Sequence, residues 1–301
     1  MKNLLFVILM MGPTALSAQT DGGLRFLSLG TDPMQLASAE TMTAAARGAS
    51  TLFANPALMS FEDTPSISVS NTFWIGGAYN RTAAWVAPLR FGSVGLGVLS
   101  SSISDIEARQ GPGPSDGSFS VTYLAFTGGY AAQVGPLSLG VNASLLSEQL
   151  FDRSAGGYSL SAGAALQLAD NRIRIGSTVA HLGKMDPLAI EASPLPSVWR
   201  TGISADILQF SVNGSSEIPI VVNASSDAHV PFDGDAYVSS AVTVTVSDVL
   251  AFHGGVRTGE TRRPFGAGLS VIVQNIRFGY ALVPFDSGFG LTHTVGLQFG
   301  I

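Results

Sequence analysis

The chain has 301 residues, of which 46% are hydrophobic and only 12% charged, with a formal net charge of −6 and no cysteine. Soluble domains usually carry ~25% charged residues, so the composition argues against an ordinary soluble domain. The acidic balance predicts no nucleic-acid partner, because binding to phosphates needs a cluster of Lys and Arg. The lack of cysteine excludes disulfide bonds and attachment of a lipid through a cysteine.

Residues 1–18 are predicted to be a secretory signal peptide. Lys2 precedes an apolar run over 4–11, and small residues then lead to a cleavage site after Ala18 or Ser17. The alternative is a short membrane anchor, but the run is much shorter than the ~20 residues that a spanning helix needs.

Residues 19–65 are predicted to form a plug or hatch segment. Asp32 followed by Pro33 is typical of a helix start, and the alanine-rich stretch 34–46 predicts a helix that ends at Gly48. The small side chains suit close packing against a wall of glycine and alanine, so we expect this helix inside a barrel. The alternative is a periplasmic helix that lies outside the barrel.

A sharp corner is predicted where the plug meets the first strand. The Asn55 side chain can accept a hydrogen bond from the backbone two residues further on, and Pro56 fixes its own φ at about −65°. Asn55, Pro56 and Ala57 therefore predict the turn that leads the chain out of the plug.

Residues 66–301 are predicted to form the barrel itself. They divide into about fourteen short segments, and the connections alternate between short and long, as in outer-membrane barrels with short periplasmic turns. The predicted short turns are 88–90, 134–136, 170–171, 247–248 and 274–275, and the predicted long loops are 103–117, 150–157, 182–197, 225–236, 257–264 and 284–290. The strand register within 208–240 stays open.

The alternation of polarity predicts which strand faces point to lipid. At the C-terminus, Val295, Leu297 and Phe299 share one face, while Thr294 and Gln298 share the other. A secreted β-sandwich is the alternative, but it would carry more charge on its outer face. In lipid, no water is present to form hydrogen bonds with unpaired backbone groups at a sheet edge. The strands must therefore close into a barrel. The predicted fold is all-β: a closed antiparallel transmembrane barrel with a short N-terminal helical plug, in contact with the lipid of a Gram-negative outer membrane.

Short motifs spread over the mature chain carry a resemblance to a known family. They are Phe26–Gly30, the alanine-rich stretch ending at Gly48-Ala49, Asn55–Leu58, His181-Leu182-Gly183, and Leu195-Pro196 with Arg200 and Gly202. The set resembles the PorV/PorQ family of Bacteroidetes-type outer-membrane barrels, within the wider FadL-like group. The Asn-Pro-Ala motif supports the FadL-like group more firmly than the family.

The resemblance implies a fourteen-stranded barrel with an N-terminal plug and no enzymatic activity. It also implies a docking or shuttle role in type IX protein secretion and surface attachment, with the C-terminal domains of secreted cargo or other secretion-system proteins as partners. The alternative function is that of a FadL-like passive channel for hydrophobic or amphipathic small molecules. These two functions predict different lumens: sealed for docking, and continuous and apolar for transport.

No catalytic, cofactor-binding or metal-binding residues are predicted. The histidines lie in no metal-ligand spacing, and no nucleophile motif is present. The histidine positions are His181, His229, His253 and His293.

Arginines placed within predicted strands are expected to face the lumen, because an Arg that faces lipid costs ~2–4 kcal/mol at the bilayer midplane. They are Arg174, Arg200, Arg257 and Arg277. One interpretation is that they pair with plug carboxylates and backbone carbonyls. The other is that they bind an anionic head group or steer a permeant.

Aromatic residues near the predicted long loops are candidates for a partner-binding surface, because aromatic side chains are enriched at interfaces. The candidates are Phe232, Tyr237, Phe285 and Phe289.

Overall fold

A computed structural model describes residues 24–108, 115, 117–188, 190–213, 217–259, 262–288 and 290–300. The predicted signal peptide lies outside these residues. Within them, the strands form one closed antiparallel barrel in which each strand pairs with its sequence neighbours and β1 pairs with β14. The predicted fold class is confirmed. No helix among the described residues has the length and apolar character to cross a membrane.

The barrel contains fourteen strands. Their bounds are β1 Ser66–Phe73, β2 Ala78–Leu89, β3 Gly92–Ala108, β4 Gly117–Val134, β5 Leu137–Leu150, β6 Arg153–Leu168, β7 Ile173–Met185, β8 Val198–Asn213, β9 Glu217–Pro231, β10 Tyr237–Val246, β11 Leu250–Thr258, β12 Phe265–Val273, β13 Ile276–Pro284 and β14 Leu291–Phe299.

The two rims differ as predicted, but several predicted outer loops are too long, because residues 225–231 belong to β9, 103–108 to β3 and 182–185 to β7. The predicted short turns coincide with the connections β2–β3, β4–β5, β6–β7, β10–β11 and β12–β13, which define the inner rim. On the outer rim, the predicted loop 150–157 is wrong, because Leu150 pairs with Arg153 and only Phe151 and Asp152 connect the strands. The glycines and serines that suggested a loop continue the small-residue alternation of β6. The open register is also settled, since Phe210 pairs with Ile220, and Val242 with Ala224.

The exterior of the barrel is apolar. On β14, Val295 and Phe299 are 45% and 41% exposed, whereas Thr294 and Gln298 are buried toward the interior. The same alternation recurs on β11, where Phe252 and Val256 are exposed and His253 is buried. A closed barrel with an apolar exterior is the architecture of an outer-membrane protein, because only hydrocarbon accommodates such a surface without exposing it to water.

The segment before β1 folds into short turns inside the barrel. It contains α1 Pro33–Ala37, α2 Thr51–Ala54 and 3₁₀ turns at Arg25–Ser28, Gly48–Ser50 and Pro56–Phe61. The predicted cap is present, since the Asp32 side chain accepts a hydrogen bond from the Gln35 backbone. The predicted helix over 34–46 is wrong beyond Ala37. Ala39 and Glu40 have φ of 51° and 62°, which takes the backbone out of the helix.

Candidate functional site: the plugged lumen

Asn55 fixes the corner between the plug and the first strand. Its Oδ1 accepts a hydrogen bond from the Ala57 backbone at 3.1 Å, and Pro56 occupies the first position of the following turn. Its Nδ2 donates to the carbonyls of Thr43 at 2.9 Å and Ala164 at 3.3 Å. Since Ala164 belongs to β6, the amide joins two parts of the plug to the wall.

Replacing Asn55 by Ala should therefore weaken the seating of the plug. The side chain is fully buried, and removing it leaves buried backbone groups unsatisfied at about 1–3 kcal/mol each. We expect a lower midpoint temperature for the heat-modifiable folded form on gels. Asn71→Ala, which changes a partly exposed amide of β1, serves as the matched control and should leave the midpoint unchanged.

Glu40 joins the plug to the wall through charge. Its carboxylate lies 2.9 Å from the Arg257 guanidinium and 3.0 Å from that of Arg263. It also accepts a hydrogen bond from the Gly30 backbone at 3.2 Å. Burial opposes ionisation of Glu40, but the two guanidinium groups outweigh it and lower the pKa of this carboxyl to about 2. The carboxylate is therefore ionised at physiological pH.

Asp227 provides the reciprocal contact, from the wall to the plug. This residue of β9 accepts hydrogen bonds from the backbone of Met42 at 2.9 Å and of Thr43 at 2.8 Å. The left-handed residues Ala39 and Glu40 turn the chain so that both N–H groups reach one carboxylate oxygen. The break in the helix at Ala39 and Glu40 thus presents the backbone N–H groups of Met42 and Thr43 to the wall.

The structure brings the predicted arginines to different parts of the plug. Arg200 donates to the Ala54 carbonyl at 2.7 Å, and Arg257 donates to the Ala39 carbonyl at 3.2 Å in addition to its ion pair with Glu40. Arg174 lies over the Phe61 ring at 5.4 Å. Arg277 lines a small cavity beside Asp32.

The outer half of the lumen is filled by apolar side chains. Leu24, Phe26 and Leu27 of the plug are buried against the barrel wall. The wall residues in this cluster are Leu99, Ala125, Leu146, Ala155 and Met185, from β3 to β7. Barrel interiors are usually polar, so an apolar inner wall over five neighbouring strands is a distinct feature of this lumen.

Glycines of the wall let the plug backbone approach closely. A Cβ atom added at these positions would collide with plug backbone between Leu36 and Ala57. The positions are Gly140, Gly176, Gly255 and Gly266. Their role is steric, since each replaces a side chain that the plug could not accommodate.

The predicted partner-binding aromatics differ in their environments. Phe285 packs edge-on against Trp74 with ring centroids 5.2 Å apart, and Tyr237 stacks on His229 at 4.3 Å. Phe232 is 63% exposed at the outer rim. Phe289 lies outside the described residues. Among the described residues, no group of three or more His, Asp or Glu side chains is placed to hold a metal ion.

Three solved structures with the same fold are distant in sequence. The toluene transporter TbuX of Ralstonia pickettii matches with a TM-score of 0.59 and 12% identity, over 90% of this chain and 98% of that one. The monoaromatic hydrocarbon channel CymD matches with 0.59 and 13%, over 93% and 99%. A mutant of the monoaromatic hydrocarbon channel TodX matches with 0.58 and 12%, over 90% and 99%. No protein-family model matches the sequence, and no curated protein matches it.

Fold and lumen together define the class of protein: a fourteen-stranded outer-membrane barrel whose lumen is filled by its own N-terminal segment. At this level of identity the comparisons establish the fold. The resemblance to the PorV/PorQ family stays a prediction.

Proposed function

We propose that this protein is a passive outer-membrane channel for hydrophobic or amphipathic small molecules, with the plug as its closed gate. The observation that carries the proposal is the apolar lumen wall beneath Leu24, Phe26 and Leu27. These plug side chains occupy the space that an apolar permeant would take once the plug moves. Binding sites for small molecules are typically concave and lined mainly by apolar groups.

The solved structures with the same fold favour this function, because they include a toluene transporter and a monoaromatic hydrocarbon channel. Besides the apolar packing, the plug makes polar contacts with the wall. They include the Glu40 ion pairs and the Asp227 hydrogen bonds, which can break and re-form without unfolding a strand. A plug held by such contacts can move while the strands of the barrel stay paired.

A docking component of type IX secretion is the second candidate function. The motif resemblance supports it, and so does the exposed Phe232 on the outer rim. The plug also fills the outer lumen, as expected for a barrel that acts through its loops. In this role, cargo C-terminal domains or other secretion proteins would bind the outer rim.

One experiment separates the two functions. The protein is purified from native membranes in mild detergent, and co-purified proteins and extracted apolar compounds are both identified by mass spectrometry. In parallel, liposomes containing the protein are tested for uptake of toluene and of decanoate. We expect bound apolar compounds and saturable uptake, with no stoichiometric protein partner.

Two variants sharpen the result. Leu146→Gln places an amide in the apolar outer lumen and should reduce uptake, whereas Leu145→Gln changes the neighbouring residue, which is 71% exposed on the lipid side, and should leave uptake unchanged if the variant inserts. Recovery of secretion proteins that is lost in Phe232→Ala, with no uptake by the wild type, would favour docking and overturn the channel function.

A further inference from the structure

Arg174 has an unusual environment for a buried cation. The residue is only 8% exposed, and its Nε and one terminal nitrogen have no hydrogen-bond partner. In the described part of the chain, its guanidinium forms no ion pair and lies over the Phe61 ring at 5.4 Å. Buried charges are normally paired, because desolvation without a partner is costly. Arg174 is the second residue of β7, next to the inner turn. Its unpartnered nitrogens therefore lie at the inner mouth of the lumen.

Two further arginines converge on the same mouth. Arg277 is likewise the second residue of its strand and has a buried terminal nitrogen without a partner. Arg47 belongs to the plug, where, among the residues that the structure describes, its guanidinium donates only to the carbonyls of Ala45 and Ala46, both at 3.2 Å. Burial first, and then the positive charges of Arg174 and Arg277, lower the pKa of Arg47 to about 9.

Packing connects these arginines through the plug. Arg174 stacks on Phe61, which shares a buried cluster with Ala46, the neighbour of Arg47. On the other side, Gly48 contacts the side chain of Gln298, which pairs with Arg277 across β13 and β14. Arg47 therefore lies between the other two arginines, close enough for the charge of each to act on it.

The carboxylates nearby attract these cations, but among the described residues none of them forms an ion pair with Arg47, Arg174 or Arg277. Glu62 lies among them, yet its Oε1 is buried without a partner and it forms no ion pair with any described residue. Asp32 uses one carboxylate oxygen to cap α1, and burial raises the pKa of this carboxyl. Asp63 and Asp206 are exposed to solvent at the rim. The arginines thus retain donors for an external group.

We propose that Arg47, Arg174 and Arg277 form a binding site for an oxyanion, a phosphate or carboxylate group, at the inner mouth of the lumen. Guanidinium N–H groups match both groups in geometry and charge. A cavity of about 560 Å³, lined by Ser60, Glu62, Asp63 and Arg90 among others, opens at this rim and borders the site beside Glu62. The site can bind an anion whether or not the barrel conducts, so it is independent of the proposed channel function.

Isothermal titration calorimetry on the full-length protein in non-ionic detergent tests the site. Inorganic phosphate and decanoate are the two probes, and they distinguish a free oxyanion from the head of an amphipathic molecule. We expect saturable binding of at least one probe. Arg174→Gln should weaken it about tenfold or more, because the variant loses a charge-assisted hydrogen bond to the probe. Arg172→Gln, which removes the same charge from an exposed turn residue, should leave binding unchanged.

Glu62→Gln gives a prediction of opposite sign. Removing this carboxylate eliminates the nearest competitor for the arginines, so affinity for the probe should rise. Arg277→Gln replaces Arg174→Gln if the latter does not fold. Absence of saturable binding of both probes by the wild type would overturn the proposal. Equal affinities in the wild type and both arginine variants would also overturn it.

Discussion

Replacing Glu40 by Gln is expected to release the plug and raise ion conductance in planar bilayers. The change leaves Arg257 and Arg263 without the carboxylate that now lies 2.9 Å and 3.0 Å from them. Breaking a buried ion pair by removing one partner costs about 3–5 kcal/mol. The barrel wall retains every strand-to-strand hydrogen bond, so the loss should fall on the plug. Single-channel recording should show larger or longer openings than the wild type.

The pH dependence provides a second measurement of the same contact. The pKa of Glu40 in the folded protein is about 2, below its ordinary value of 4.5, so its stabilising effect is complete above pH 4.5. The effect decreases as the pH falls through 4.5 and is lost below 2. Wild-type conductance should therefore rise only on acidification within this window.

Controls distinguish plug release from general damage. Glu191→Gln removes the same charge from an exposed outer-loop residue and should leave the conductance unchanged. Heat modifiability on gels should persist in Glu40→Gln, because the wall is intact. A Glu40→Gln protein with wild-type conductance at pH 7 would show that the ion pairs do not hold the plug closed.

The sequence predicts the wall of this barrel better than its plug, for a physical reason. A strand alternates over two residues, so Val295 and Thr294 reveal their faces without reference to any distant residue. The turn at 274–275 is equally local. The corner at Asn55 is also predictable, since its first hydrogen bond goes to Ala57, two residues away.

The plug depends on contacts between residues far apart in the chain. Local propensity favours a helix over 34–46, but Asp227 binds the backbone of Met42 across 185 positions of sequence and stabilises a different path. Glu40 sits in the left-handed region, which no local pattern indicates for a glutamate. The sequence signal that could have found this site is the scarcity of charge: an acidic residue in an alanine-rich segment requires a cationic partner inside the barrel.

The apolar outer lumen was missed for a related reason. On β5, both the lipid-facing Leu145 and the inward Leu146 are apolar, so alternation gives no contrast at this point. Burial distinguishes the two faces, since Leu145 is 71% exposed and Leu146 is buried in the cluster that contains Phe26 and Leu27. Two consecutive apolar residues in a strand that otherwise alternates in polarity are therefore informative. They indicate that both the lipid-facing and the lumen-facing side of the wall are apolar at that point.

Replacing Gly255 by Val is expected to displace the plug while leaving the barrel closed. A Cβ atom at Gly255 would lie 2.6 Å from the Ser38 carbonyl oxygen and 2.8 Å from the Ala39 nitrogen, both of them backbone atoms of the plug. Backbone cannot rotate away as a side chain can, and overpacking of this kind costs typically about 1–3 kcal/mol or more. The strain falls beside Glu40, so the ion pairs should weaken as well. We expect higher conductance and faster proteolysis within residues 36–48.

The neighbouring glycine is the matched control for this steric effect. Gly254 lies on the same strand with its side-chain position facing outward, and a Cβ atom there has nothing within 4 Å. Gly254→Val therefore adds the same β-branched side chain to the same strand without touching the plug, and it should behave as the wild type in both assays. Because Val favours strands, neither substitution should impair the wall itself. Equal conductance in the two variants would show that close approach between wall and plug at Gly255 does not control the lumen.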